Sequence, residues 1–202
     1  MTEDDSVAWC HATFGEDAVA KLDHFRALLL EENQHQNLIS PASTNAIWNR
    51  HIADSAQLAQ HIPANATTWF DIGSGPGLPG LVIAILCDLA VTLVEPRGRR
   101  VEFLAAAANE LNLGNVVVHK AKAETVTGDA DIISARAVAS IPDLIAMTSH
   151  LRHSRTRMIL PRGQNGGSEV EMLPARWRGM FHVEQSVTDP ASVIVIGDGV
   201  RT

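Results

Sequence analysis

The order of apolar runs along the chain predicts an α/β fold: a mostly parallel seven-stranded sheet with a terminal antiparallel hairpin, preceded by a helical extension. Three observations carry this. From residue 67 onward, short runs rich in Val and Ile alternate with helical stretches, a pattern that implies right-handed crossovers and a parallel sheet covered on both faces. A glycine-rich segment, "DIGSGPGLPG" (71–80), sits at the end of the first run. The last two runs have no helix between them, so the chain closes on a hairpin that adds an antiparallel strand.

The elements follow in order. The opening "MTEDDS" is acidic and polar and is assigned no element. A stripe through Val19, Leu22, Phe25, Leu28 and Leu29 predicts a helix over 16–37, and Pro41 closes that region. A second helix is expected over 43–61, with Ile47, Trp48, Ile52, Ser55 and Leu58 inward and Pro63 at its end. Strands are expected at "TTWFDI" (67–72), "VTLVE" (91–95), "NVVVH" (115–119), "DIISA" (131–135) and "RMILP" (157–161). Helices over 79–87, 97–112, 140–151 and 167–177 separate or follow them. "FHVEQSV" (181–187), a "TDPAS" turn and "VIVIG" (193–197) form the hairpin. Residues 1–66 are read as the helical extension and 67–202 as the core, together one structural domain.

Composition narrows the class. With 202 residues, 46% hydrophobic and 19% charged, the chain is globular and long enough for a real core. The longest clean apolar run, Leu81 to Cys87, is far shorter than the span of about 20 residues that a bilayer requires. A soluble cytoplasmic protein with no export signal and no membrane partner is therefore expected. Cys10 and Cys87 make neither a disulfide framework nor a metal-ligand spacing. No metal is expected.

Net charge is −7, which argues against coating nucleic acid by bulk electrostatics. Residues 1–95 carry three basic side chains against twelve acids, while 96–202 carry 13 against 11. Arg97, Arg99 and Arg100 are bunched, as are Arg152, Arg155, Arg157 and Arg162. Such groups are either solvated helix ends or a surface for a local anionic partner.

The glycine segment is the chemical signal. Gly75-Pro-Gly77-Leu-Pro-Gly80 fits G-x-G-x-x-G, so an NAD-dependent dehydrogenase is one reading. The glycines begin earlier, however, as Gly73-Ser-Gly75-Pro-Gly77 behind a strand that ends in Asp71. Exposed N–H groups there would form a nest for an anionic group, helped by a helix N-terminus that Pro79 is suited to open. Asp71 at the loop's mouth would repel a pyrophosphate, whereas S-adenosylmethionine carries an ammonium and a sulfonium beside its carboxylate. Glu95 ends the next strand, where an acid can accept ribose hydroxyls.

Several ordered motifs resemble the RsmG (GidB) family of 16S rRNA guanine-N7 methyltransferases. They are "NLISP" (37–41), "RHIADS" (50–55), the "DIGSGPGLPG" loop, "GRRVEFL" (98–104), "KAE" (122–124) and "ISARAVAS" (133–140). The resemblance covers about residues 22–197. It implies a class I, Rossmann-like methyltransferase fold, S-adenosyl-L-methionine as cofactor, and a guanine in 16S rRNA as substrate. It also implies cofactor contacts at Gly73 and Leu78, adenine contacts at Ala123 and Glu124, and Arg136 beside the reaction centre. Two positions depart from the family pattern: Ala135 stands where serine is usual, and Pro161-Arg162-Gly163 replaces a leucine-lysine-glycine step.

Guanine N7 offers a lone pair and no proton, so its methylation needs no general base. The chain accordingly lacks an N/D-P-P-Y tetrad and a Pro-Cys nucleophile. In this scheme the backbone of Gly73, Gly75 and Gly77 binds the methionine end, Asp71 orients the loop or the ammonium, Glu95 takes the ribose, and Leu78 walls the pocket. Arg136 is the expected catalytic residue, positioning the guanine at O6 or at a neighbouring phosphate. Arg50, His51, Arg97, Arg99, Arg100 and Arg162 are candidate RNA contacts, although Arg50-His51 taken alone reads more readily as a helix-surface pair or a buried polar bond to the core. His150 and His153 have metal-like spacing without a third ligand, and Trp48 and Trp69 are read as core. The expected partner is 16S rRNA in the small subunit or an assembly intermediate, met by a monomer, with no DNA involved. A non-catalytic ribosome-assembly module that keeps the fold is the alternative from outside enzymology.

Overall fold

The computed structural model describes residues 1–200, so the last two residues of the expected 67–202 core lie outside the described ones. Seven strands make one sheet: β1 (Thr68–Ile72), β2 (Ala90–Val94), β3 (Val116–His119), β4 (Ala130–Ser134), β5 (Arg152–Arg162), β6 (Phe181–Gln185) and β7 (Val193–Asp198). Their spatial order is β3-β2-β1-β4-β5-β7-β6. The first five strands are parallel, and β7 runs antiparallel to both β5 and β6. The order reverses between β1 and β4, and the crevice at the carboxyl ends of strands flanking such a switch is where open α/β sheets bind ligands.

Strand side chains alternate between two apolar layers. Trp69, Leu93 and Ile132 point to a layer shared with Leu22, Phe25, Ile52, Leu58, Leu81 and Leu104. Phe70, Ile72 and Ile133 point to the other, shared with Leu144, Val170 and Trp177. The first layer is covered by α1 (Glu3–Phe14), α2 (Glu16–Gln36), α3 (Asp54–Ala56), α4 (Gly80–Leu86) and α5 (Gly98–Glu110). The second is covered by α6 (Ile141–Met147), α7 (Gly166–Glu171) and α8 (Ala175–Arg178). Residues before 67 therefore share a core with the sheet. Among the described residues, no helix is long and apolar enough to cross a membrane.

Four features differ from the sequence reading. Helix α1 is an element that the sequence does not announce: only Ser6 and Cys10 on it are buried, so it has no apolar stripe to read. Its N-terminus is fixed by a capping box, with Thr2 Oγ1 accepting from Asp5 N and Asp5 accepting from Thr2 N. The expected 43–61 helix is a composite: a 3₁₀ segment Pro41–Ala46, a π segment Trp48–Ala53, then α3 and a 3₁₀ segment Gln57–His61. Its five predicted inward residues are all buried, so the face was legible although the winding was not. The 167–177 helix breaks into α7 and α8 at Pro174, which lacks an N–H to continue it.

Strand β5 begins at Arg152, five residues earlier than predicted, and bulges between the pairs Ala130–Arg152 and Ile132–Arg157. That turns most of the second basic group back onto the protein and leaves Arg155 exposed. Arg152 donates to the carbonyls of Val200 and Ile145, and Arg157 forks onto Asp198 and reaches the carbonyl of His61.

Glu3 ties α1 to the π segment. Its two carboxylate oxygens accept from Trp48 N at 3.1 Å and Asn49 N at 2.7 Å, capping N–H groups that the segment cannot satisfy itself. Glu3→Ala is expected to cost about 1–3 kcal/mol, read as a drop in Tm of about 2–4 °C per kcal/mol. An unchanged Tm would mean that this cap contributes nothing.

Candidate functional site

The site begins beneath the glycine loop. Asp71, at the carboxyl end of β1, is 1% exposed. Its Oδ1 accepts from Ser134 Oγ at 2.6 Å, and Ser134 Oγ accepts in turn from Trp69 Nε1 at 2.7 Å. Its Oδ2 accepts from Gly80 N at the start of α4, at 3.2 Å. The chain must pass very close there: a Cβ on Gly80 would lie 2.8 Å from Asp71 Oδ2. Burial pushes the Asp71 carboxyl up to about 6, against hydrogen bonds that pull it down. Asp71 is thus an anchor below the loop. It is not an acid at the loop's mouth, as the sequence suggested, and it does not line the cleft.

The loop itself is internally satisfied. Gly73 N and Ser74 N donate to the carbonyl of Val94, Gly77 N and Leu78 N to the carbonyl of Ser74, and Gly75 N to Glu95 Oε2 at 2.9 Å. The expected nest of free N–H groups is therefore already filled, at Gly75 by a protein carboxylate. Gly75 has φ +53°, a left-handed conformation that side chains disfavour and that turns its N–H toward the β2 end. Glu95 Oε1 accepts from Arg97 N at 2.9 Å, so each oxygen keeps a second lone pair for a ligand hydroxyl. Gly77 is packed against Leu81 and Leu104 and faces away from the cleft.

Above this floor lies a cleft of about 840 Å³. Gly73, Gly75, Leu78, Glu95 and His51 line it, and Arg50, Asp54, Arg97, Arg100, Arg136 and Arg162 bring charge to it. The loop 135–139 closes one wall, with Val138 so near Gly73 that a Cβ there would sit 2.7 Å from it. Arg136 is held from the π segment and the first residue of α3: Nη1 donates to the carbonyl of Arg50 at 3.3 Å and to Asp54 Oδ2 at 3.4 Å, while Nη2 lies 3.4 Å from His51 Nδ1. Burial, helped by Arg136 and Arg50, pushes His51 down to about 4. His51 is therefore a neutral ring at pH 7.

Of the candidate RNA contacts, Arg50 is exposed at the cleft, and Arg97 and Arg100 line it. Arg99 is turned away and donates to the carbonyl of His35. Arg162 is a strut: its side chain is 7% exposed, donates to the carbonyls of Ala135 and Ala139, and pairs with Glu169 at 3.3 Å. It fixes the loop that carries Arg136 and is not free for phosphate. Ala123 and Glu124 lie in the 3₁₀ turn after β3, Ala123 buried and Glu124 exposed, at the same sheet edge but outside the lining of the cleft. The sequence reading missed Asp54 as part of the site; its spacing, four residues after Arg50 in a helical segment, was the available signal. Trp48 and Trp69 are core as expected. His150 and His153 diverge to Val126 and Asp131.

The cleft suits S-adenosylmethionine. Glu95 offers acceptors for hydroxyls, Leu78 an apolar wall, and the arginines counter-charges for a carboxylate, in a volume of the size that small-molecule sites have. Comparisons agree with that chemistry. The family model for GidB, described as rRNA small subunit methyltransferase G, matches residues 18–191. A "Ribosomal RNA small subunit methyltransferase G" of Sphingopyxis alaskensis is 48% identical over 89% of this chain and 78% of its own length. Another of that name, from Novosphingobium aromaticivorans, is 42% identical over 98% of this chain and 88% of its own. Among solved structures, a SAM-dependent methyltransferase from Aquifex aeolicus superposes with a TM-score of 0.60 at 13% identity, covering 83% of this chain and 98% of its own. That likeness shows the fold alone. The dehydrogenase and non-catalytic alternatives are not favoured by these matches.

Asp71 gives the site a pH signature. Its folded-state value, about 6, lies above the ordinary 3.8, so the folded protein holds an extra proton between about pH 4 and 6. The stability contribution of Asp71 is then highest below that window and falls as pH rises through it, by about 3 kcal/mol. Chemical denaturation at several pH values is expected to show that decline in the wild type relative to Asp71→Asn. Parallel curves for the two proteins would contradict it.

Proposed function

The chain belongs to the rRNA small subunit methyltransferase G family, and from this premise we propose that it methylates N7 of one guanine in the 16S rRNA of the small ribosomal subunit. The observation that carries the reading is the cleft at the carboxyl edge of the sheet, in which Glu95 and Arg136 share one space with Gly73 and Leu78.

When bound, S-adenosylmethionine supplies an electrophilic methyl group on a sulfonium. This chain's residues bind and orient. Glu95 accepts ribose hydroxyls with its remaining lone pairs, Gly73, Gly75 and Leu78 wall the cofactor, and Ala123 and Glu124 approach its adenine. Asp71 acts from below, by holding the loop. Arg136 positions the guanine through O6 or an adjacent phosphate, while Arg50, Arg97 and Arg100 meet backbone phosphates. No residue has to take a proton, which suits a cleft whose histidine, pushed down to about 4, is a weak base and whose acids are already engaged. Orientation supplies the rate, and can contribute on the order of 7–11 kcal/mol.

N7 is inaccessible within regular A-form RNA, so the target guanine lies in an irregular region. The bases at this cleft are few for tight binding of naked RNA. The substrate is then the small subunit or an assembly intermediate, met by a cytoplasmic monomer, with residues 1–66 as the helical extension supplying one wall of the cleft and the rest as the catalytic core.

The test is methyl transfer from labelled S-adenosylmethionine to small-subunit particles from cells lacking this gene, with the labelled nucleoside identified by mass spectrometry. A single 7-methylguanosine is expected. Label on another nucleoside, or none, would overturn the assignment. Arg136→Ala is expected to nearly abolish turnover while S-adenosylmethionine affinity, measured by calorimetry, stays within a few fold. Loss of affinity instead would move Arg136 into the cofactor site.

A further inference from the structure

We infer that Asp54 is the positioning residue for Arg136, and that the turn at 186–188 fixes Asp54 in that task. The carboxylate is locked from one side. Oδ1 accepts from Gln57 Nε2 at 3.0 Å and from Thr188 Oγ1 at 3.1 Å. Gln57 is itself fixed, since Nε2 also donates to Ser186 Oγ and Oε1 accepts from Val187 N. Oδ2 is left for Arg136.

Arg136 meets three acceptors on one short segment: the carbonyl of Arg50, His51 Nδ1 and Asp54 Oδ2. A guanidinium has five N–H donors in a rigid plane. Two on Nη1 and one on Nη2 are engaged, so Nε–H and the second Nη2–H remain without acceptors among the described residues. Those two are the donors available to a ligand in the cleft. Asp54 thereby selects which edge of Arg136 the substrate meets. The side chains of the pair are 20% and 19% exposed, so solvent competes little for either.

The carbon skeleton of Asp54 is unchanged in Asp54→Asn, which keeps an acceptor but removes the charge that holds a partly buried guanidinium. Thr188→Val removes the hydroxyl that bonds Asp54 Oδ1 and Ser186 Oγ, and touches neither Arg136 nor the lining of the cleft. The catalytic consequence of the Asp54–Arg136 contact rests on the role given to Arg136 above.

Two readouts separate the contact from that role. The first is the rate at which phenylglyoxal modifies Arg136, followed by peptide mass spectrometry on the full chain. It is expected to rise several-fold in Asp54→Asn and less in Thr188→Val, each measured well below the Tm of that variant. The second is kinetics on small-subunit particles. For Asp54→Asn, kcat is expected to fall about 10- to 100-fold with KM for the particle and affinity for S-adenosylhomocysteine unchanged, and to fall far less in an Arg136→Lys background. Unchanged modification of Arg136 in both variants would overturn the inference. So would an equal loss of kcat with Arg136 or Lys at that position, because Asp54 would then act independently of it. If Asp54→Asn does not fold, Thr188→Val decides by the same two criteria. If the wild type methylates no guanine, the functional reading falls and Arg136 modification alone decides for Asp54.

Discussion

One buried carboxylate organises the ligand edge of this sheet. Asp71 joins β1 to β4 through Ser134, reaches Trp69 through the same hydroxyl, and pins the first N–H of α4. Placing an acid at 1% exposure is costly, and the raised Asp71 value is the mark of that cost. The cost is offset because both oxygens are satisfied and the network is complete. Ser74 extends it, donating to the carbonyl of Asp71 and accepting from Val94 N, so three neighbouring strand ends and the loop move as one body.

Glu95 repeats the device one strand over. By taking Gly75 N and Arg97 N it ties the glycine loop to the start of α5. The loop's donors are thus spent on shaping the loop, and the free polar groups of the cleft belong to side chains around it. The far wall comes from the composite segment 41–61, which presents Arg50, His51 and Asp54 to Arg136 and is braced by Glu3 of α1. The acid-rich first half of the chain and the arginine-bearing second half meet here: Asp54 and Glu95 from the former face Arg100 and Arg136 from the latter.

The sheet was legible because its signal is local. Runs such as "VTLVE" and "NVVVH" are the right length, β-branched, and separated by helical stretches, and the missing helix before "VIVIG" foretold the antiparallel β7. The positions of the glycine loop behind β1 and of Glu95 behind β2 were legible for the same reason. What failed was long-range or lacked periodicity. No local pattern shows that Arg162 braces carbonyls 23 and 27 residues earlier, or that Arg157 is matched by Asp198. Asp71 was recognised, but its direction was not, because a sequence does not say which side of a loop an acid occupies. Helix α1 carried its signal in the Thr2–Asp5 capping box and not in a stripe.

The most direct measurement is a crystal structure with S-adenosylhomocysteine bound. Ligand density is expected in the cleft with the ribose hydroxyls on Glu95, the Gly75–Glu95 bond intact, and the sulfur on the side of the cleft where Arg136 stands. Glu95 swung away, with the ligand's carboxylate seated on the loop N–H groups, would contradict a loop whose donors are committed internally. Ligand bound anywhere outside the cleft would contradict the site itself.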